Sequence, residues 1–102
     1  MLLDAGSYVG FAGAPIAMSH TIGTTGTMQS SFGFSSCVRE SVGVYYYTFS
    51  NPASSIAKVM VTTVGGIRTI YPDTPSASGV RVRAFDAAGK ACDTAHVITV
   101  SL

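Results

Sequence analysis

Hydrophobic and polar positions alternate with a period of two along most of the chain, and the helical period of about 3.6 is nearly absent. Stretches rich in Val, Ile, Tyr, Phe and Thr recur between clusters of Gly, Pro, Asn and Ser, the pattern of short strands separated by turns. Phe32, Phe34, Ser36 and Val38 alternate with Gly33, Ser35, Cys37 and Arg39, which predicts a strand with one apolar face that stops at the polar turn Arg39-Glu40-Ser41. The next run is apolar on both sides. Val42, Val44, Tyr46 and Thr48 share one face and Gly43, Tyr45, Tyr47 and Phe49 the other, so this strand is expected at the centre of a sheet or with its second face covered. The two runs are expected to pair as a hairpin.

Ser50-Asn51-Pro52-Ala53-Ser54-Ser55 has loop chemistry, since Pro52 cannot donate to a ladder and Asn51 tolerates turn geometry. A strand over 56–64 then meets Gly65-Gly66, a turn signal leading into Ile67-Arg68-Thr69-Ile70-Tyr71, which predicts a second hairpin. The stretch 71–79 contains Pro72 and Pro75 and predicts a long surface loop, the kind of segment that carries function on β scaffolds. In the next run Val80, Val82 and Ala84 oppose Arg81, Arg83 and Phe85, and Asp86-Ala87-Ala88-Gly89-Lys90 predicts a tight turn. The last strand, 96–102, sets His96, Ile98, Val100 and Leu102 on one face. The first thirty residues are less regular. They hold a short strand candidate at Ser7-Tyr8-Val9-Gly10-Phe11, an apolar Ala14-Pro15-Ile16-Ala17-Met18 and a Gly/Thr-rich stretch over 21–27. This segment is expected as an arm packed on the body, as one that orders against neighbouring subunits, or as plain surface loop. The pattern as a whole predicts one all-β domain: an antiparallel, jelly-roll-like β-sandwich of about six to eight short strands, with residues 1–30 as N-terminal arm and first strand and 31–102 as the sandwich body.

Composition changes the picture of the surface. The chain has 102 residues, 47% of them hydrophobic and only 11% charged, against a usual charged share of about 25%. Such a surface is expected to be covered by small polar residues or buried against other copies of the chain, because a lone domain rarely exposes a large apolar patch. A formal net charge of +1 gives no basic footprint for a phosphate backbone, so nucleic acid is not an expected partner. No apolar run approaches the ~20 residues of a membrane span and the first residues carry no basic leader region, so the chain is expected to be soluble, unprocessed and not inserted in a membrane. Cys37 and Cys92 lack the spacing of a zinc site and are too few for a disulfide scaffold. Two small buried hydrophobes or a single long-range bridge are both compatible with them.

Two segments together resemble a pattern found in bacteriophage structural proteins. Ser31-Phe32-Gly33-Phe34-Ser35-Ser36-Cys37-Val38-Arg39 is followed by Gly43-Val44-Tyr45-Tyr46-Tyr47-Thr48-Phe49-Ser50-Asn51-Pro52, similar to the paired central strands of terminal domains in tail fibres, tailspikes and related virion appendages. Tyr8-Val9-Gly10-Phe11-Ala12-Gly13 is similar to the aromatic box that often opens this domain, and Lys58-Val59-Met60-Val61-Thr62 stands in the place of its next strand. The resemblance implies a homotrimer on the virion, assembled in the host cytoplasm, that contacts other virion proteins and binds a bacterial surface polysaccharide. It implies no cofactor and no catalysis. A capsid decoration or head-fibre protein, docking on the shell through residues 1–30, is the alternative.

A nucleophile and base would have to come from Ser or Cys with His20 or His96 and one of Asp4, Asp73, Asp86 or Asp93, and no Gly-x-Ser-x-Gly elbow fixes them together. A glycosidase needs two carboxyl groups across a cleft, whereas Asp4, Glu40, Asp73, Asp86 and Asp93 fall mostly in predicted turns. His96 beside Asp93 suggests a metal ligand only if copies met on a symmetry axis; a half-buried strand histidine is the plain reading. The aromatic residues carry more. Flat rings suit the apolar faces of sugars, helped by planar Arg and Asp groups, so Tyr71, Asp73, Arg81, Arg83, Tyr45 and Tyr47 are the candidate ligand-binding residues. Tyr46 is expected in the core, and Tyr45 and Tyr47 at a subunit interface or beneath a ligand.

Overall fold

The computed structural model describes residues 16–51 and 58–101. They form eight strands: β1 (Ala17–Thr21), β2 (Met28–Phe32), β3 (Phe34–Ser41), β4 (Val44–Phe49), β5 (Lys58–Thr63), β6 (Arg68–Asp73), β7 (Gly79–Asp86) and β8 (His96–Ser101). Among the described residues no helix forms, so none is long and apolar enough to cross a membrane. The strands make two four-stranded antiparallel sheets, sheet A in the order β2-β1-β8-β5 and sheet B in the order β3-β4-β7-β6. The strand candidate at 7–11, the aromatic box at 8–13, Asp4, loop residues 52–55, Ile56, Ala57 and Leu102 lie outside the described residues.

The sandwich follows from alternation, since β4, β7 and β8 each carry an apolar row that is removed from water only when the sheets face each other. Sheet A contributes Ala17, Ile98 and Val100; sheet B contributes Phe34, Tyr45, Tyr47, Phe49, Val80 and Val82. Each fully buried Val, Ile or aromatic side chain contributes about 1.5–3 kcal/mol relative to an exposed one. The aromatic side of the core is continuous, with the Phe34 ring 4.9 Å from that of Tyr47 and 5.9 Å from that of Phe49. Three ladders join neighbours in sequence, β1–β2, β3–β4 and β6–β7, whereas the jelly-roll-like winding expected from the sequence joins mostly remote strands. Counted from β3, the pairing order β3-β4-β7-β6 and β5-β8-β1 is instead that of the immunoglobulin-type Greek key, with β1 in the place of its last strand and β2 added outside it.

Several local expectations change. Phe32 does not continue into the Phe34 strand: it ends β2 in sheet A, and Gly33 alone carries the chain across to sheet B. Gly33 has φ +81°, and a Cβ there would collide with the Ile16 carbonyl oxygen and lie 2.7 Å from Ala17 Cα, so only glycine fits this crossing. A register shift between Phe34 and Ser36 then turns Cys37 toward the core and leaves Val38 outward, 54% exposed. Gly65-Gly66 does not close a hairpin. β5 pairs β8 in sheet A and β6 pairs β7 in sheet B, so the turn passes between layers and lets Val59, Val61 and Ile70 all pack on the core. The loop expected over 71–79 is shorter, because Tyr71, Pro72 and Asp73 belong to β6. β6 is an edge strand, where the missing N–H of Pro72 breaks no ladder.

Candidate functional site

The outward face of sheet B gathers the polar and aromatic side chains that the core excludes. β7 pairs with β6 and β4 so that Asp73, Arg81, Tyr46 and Val38 stand in one row across the sheet, with Tyr71, Arg83 and Val44 in the next and Thr69 and Phe85 beyond. Four of the six candidate ligand residues, Tyr71, Asp73, Arg81 and Arg83, therefore meet on one surface. Ion pairing runs diagonally over it. Arg83 Nε donates to Asp73 Oδ2 at 2.6 Å. Arg81 reaches the other way, its guanidinium 5.4 Å from the centre of the Tyr46 ring, and donates through Nε to Glu40 Oε1 at 2.7 Å. The hydrogen bond from Arg81 holds the Glu40 carboxyl below its ordinary range and, in return, raises the guanidinium. Beside these pairs the rings of Tyr71 and Phe85 lie nearly parallel, 9° apart in plane with centroids at 5.9 Å, and Tyr71 is 41% exposed.

Tyr45 and Tyr47 leave the ligand set. Both are fully buried, and Tyr46, expected inside, faces out. β4 alternates as its sequence predicts, but both of its faces are apolar, and only the opposing sheet selects which one is covered. The Tyr45 hydroxyl donates to the Gly23 carbonyl at 2.6 Å and accepts from the Thr94 N–H at 3.0 Å, while burial pushes its pKa up to about 12. The Tyr47 hydroxyl bonds Thr21 Oγ1 and His96 Nε2, the latter at 2.7 Å, and burial raises its pKa further.

The alternative chemistries find no assembly. His96 is fully buried, with Nδ1 on the Thr94 carbonyl at 2.8 Å and Nε2 on Tyr47, so neither nitrogen is free for an axial metal ion. Asp93 bonds Arg39 rather than His96: Arg39 donates through Nε at 3.0 Å and Nη2 at 2.9 Å, and the Gly43 N–H adds a bond at 2.8 Å. The Arg39 bonds, outweighing burial, hold the Asp93 carboxyl below its ordinary range. Asp86 accepts from the Ala88 and Lys90 amides at 2.9 and 3.0 Å, a turn-closing role. Cys37 and Cys92 are free thiols, and burial pushes that of Cys37 up to about 11. Among the described residues no group of three or more His, Cys, Asp or Glu side chains is placed to hold a metal ion.

Three members of this face were not among the sequence candidates. Phe85 shares the alternation of Arg81 and Arg83, so its placement was legible. Tyr46 was legible as a face-mate of Val44 but not as outward. Glu40 carried no signal, because its partner lies across two ladders. Comparisons with protein-family models, with curated proteins and with solved structures find no match to this chain.

Proposed function

We propose that this chain is an adhesive and structural domain of a bacteriophage virion, a tail-fibre or tailspike terminal domain that binds a host cell-surface glycan and performs no catalysis. The observation that carries the binding role is the convergence of Tyr71, Asp73, Arg81 and Arg83, joined by Tyr46 and Phe85, on one open face of sheet B. The virion assignment rests on the resemblance of residues 31–52 to paired appendage strands.

The opposite surface supports self-association. On the outward face of sheet A, Phe32, Met18, Thr99 and Met60 form one row and Ser30, His20, Val97 and Thr62 the next. Phe32 is 52% and Met60 47% exposed, and Lys58 at the edge carries the only formal charge on these strands' outward positions. A face whose one charge sits at its edge can pack against further copies with little like-charge repulsion, whereas sheet B carries fixed ion pairs. A second copy is therefore the occupant proposed for sheet A, and the trimer number comes from the resemblance. This arrangement leaves sheet B pointing outward toward the host.

Immunogold labelling of the phage particles that carry the protein tests the assignment. Label at the tail tip supports it, label on the head transfers the chain to the capsid-decoration reading, and label on neither overturns both.

A further inference from the structure

The charged groups on the outward face of sheet B cancel. Its two arginines, Arg81 and Arg83, are each held by a carboxylate, Glu40 and Asp73, at 2.7 and 2.6 Å. An anionic ligand that approaches either arginine meets the neutralising carboxylate at close range, and like-charge juxtaposition of that kind disfavours binding. The hydrogen-bonding capacity left over is of another kind. Arg83 spends only Nε on Asp73, and Asp73 spends only Oδ2, so among the described residues both Nη groups of Arg83 and Oδ1 of Asp73 have no partner. Donors and an acceptor thus stand side by side on one ion pair. Adjacent hydroxyl groups, each both donor and acceptor, complement that arrangement without bringing charge.

Tyr71 supplies the apolar half. It stands directly across the ladder from Arg83 and is backed by the stacked ring of Phe85. The negative face of an aromatic ring attracts the weakly positive C–H edge of a saturated ring. A pyranose has such a C–H-lined face together with a rim of hydroxyls, so one sugar resting on Tyr71 brings its rim to Arg83 and Asp73.

Resting on the glycan reading above, we infer that the Tyr71–Arg83–Asp73 corner of sheet B recognises an uncharged hexose through a vicinal diol, and that it discriminates against anionic polysaccharides. Asp73 acts here as a selector: it keeps Arg83 in place and occupies the charge that an acidic sugar would need.

Affinity electrophoresis of the purified chain through gels containing dextran, mannan or galactan, against alginate, polygalacturonate or dextran sulfate, tests the inference. At least one neutral polymer is expected to retard the protein, with little change between about 0.05 and about 0.5 M NaCl, since no net charge is neutralised. Periodate oxidation followed by borohydride reduction, which opens vicinal diols and adds no charge, is expected to abolish the retardation. Tyr71→Ala is expected to weaken it about tenfold or more at unchanged native mass, and Asp73→Asn to gain salt-sensitive retardation by the acidic polymers. Retardation of the wild type by acidic polymers alone overturns the inference, as does retardation that survives periodate. With no retardation by any polymer the inference also falls, and adsorption to intact host bacteria then decides the underlying reading: adsorption retained keeps the glycan role with a different site chemistry, and adsorption absent removes it.

Discussion

Tyr47 donates its hydroxyl proton to Nε2 of His96 across the core, 2.7 Å away, and so ties sheet B to sheet A by a polar bond inside an apolar layer. The direction of the bond follows from its neighbours. His96 Nδ1 faces the Thr94 carbonyl at 2.8 Å, which only accepts, so Nδ1 carries the proton and Nε2 of the neutral ring is bare. Thr21 Oγ1 bonds the Tyr47 hydroxyl, and Ser19 Oγ bonds Thr21 at 3.1 Å, extending the chain through β1. All four side chains are fully buried.

This geometry makes stability depend on pH near neutrality. Burial lowers the His96 pKa below its ordinary value, so the unfolded chain binds its proton first as pH falls. The stabilisation is fully present above the ordinary histidine value of about 6.5 and is lost as pH falls from there through the lower folded value. Melting curves are expected to shift down by several degrees between about pH 7.5 and about pH 5, and His96→Gln, itself less stable, is expected to flatten that slope. The lowered carboxyls of Glu40, Asp86 and Asp93 act in a separate window, contributing above the ordinary carboxylate range of about pH 4 and failing only as pH drops below it.

Removing the Tyr47 hydroxyl alone strips two buried partners. Tyr47→Phe leaves Nε2 of His96 and Oγ1 of Thr21 without it, at a cost of about 1–3 kcal/mol, read as a lower urea midpoint with an unchanged m value. The ring still packs on Phe34, so the variant is expected to fold.

Gly33 and Gly65 share a left-handed backbone, with φ +81° and +76°, but not their surroundings. Gly65→Ala has open space around its new Cβ and is expected to cost about 1 kcal/mol of backbone strain. Gly33→Ala adds a collision with Ile16 and Ala17 at the crossing between sheets and is expected to cost well beyond that or to prevent folding. Paired thermal melts separate the two outcomes.

Charge placed on the outer face of sheet A is expected to act on assembly and not on the fold. Phe32→Arg and Met60→Glu alter exposed positions that the core does not use. Light scattering is expected to give a multimeric mass for the wild type and a monomeric mass for each variant, with matching circular dichroism. A monomeric wild type would remove self-association from the proposal.

The strands themselves were largely legible from the chain, because alternation and turn residues act locally. β4 and β7 appear where Val44 to Phe49 and Val80 to Phe85 alternate, and the inward row Val80, Val82 and Ala84 is the apolar one. Arg81 and Arg83 had nowhere to go but outward, so half of the candidate site was visible in a six-residue pattern. β2 was missed because Met28-Gln29-Ser30-Ser31-Phe32 is too polar to announce an edge strand.

Local pattern was enough for an all-β chain, for the place of most strands and for the tight turn over 86–90, but not for every turn: Arg39-Glu40-Ser41, read as a turn, continues β3. It left open which side is covered where both are apolar and, beyond the β3–β4 hairpin, which strands meet. Tyr45 and Tyr47 face in and Tyr46 out because sheet A lies over one face of β4, and Val38 faces out because a register shift follows Phe34. Gly65-Gly66 reads as a hairpin locally but joins two layers, since the pairing of β5 with β8 and of β6 with β7 places Val59, Val61 and Ile70 on one core. Local pattern sets a strand's periodicity; the phase of that periodicity relative to water is a property of its neighbours, and those exist only in the folded molecule.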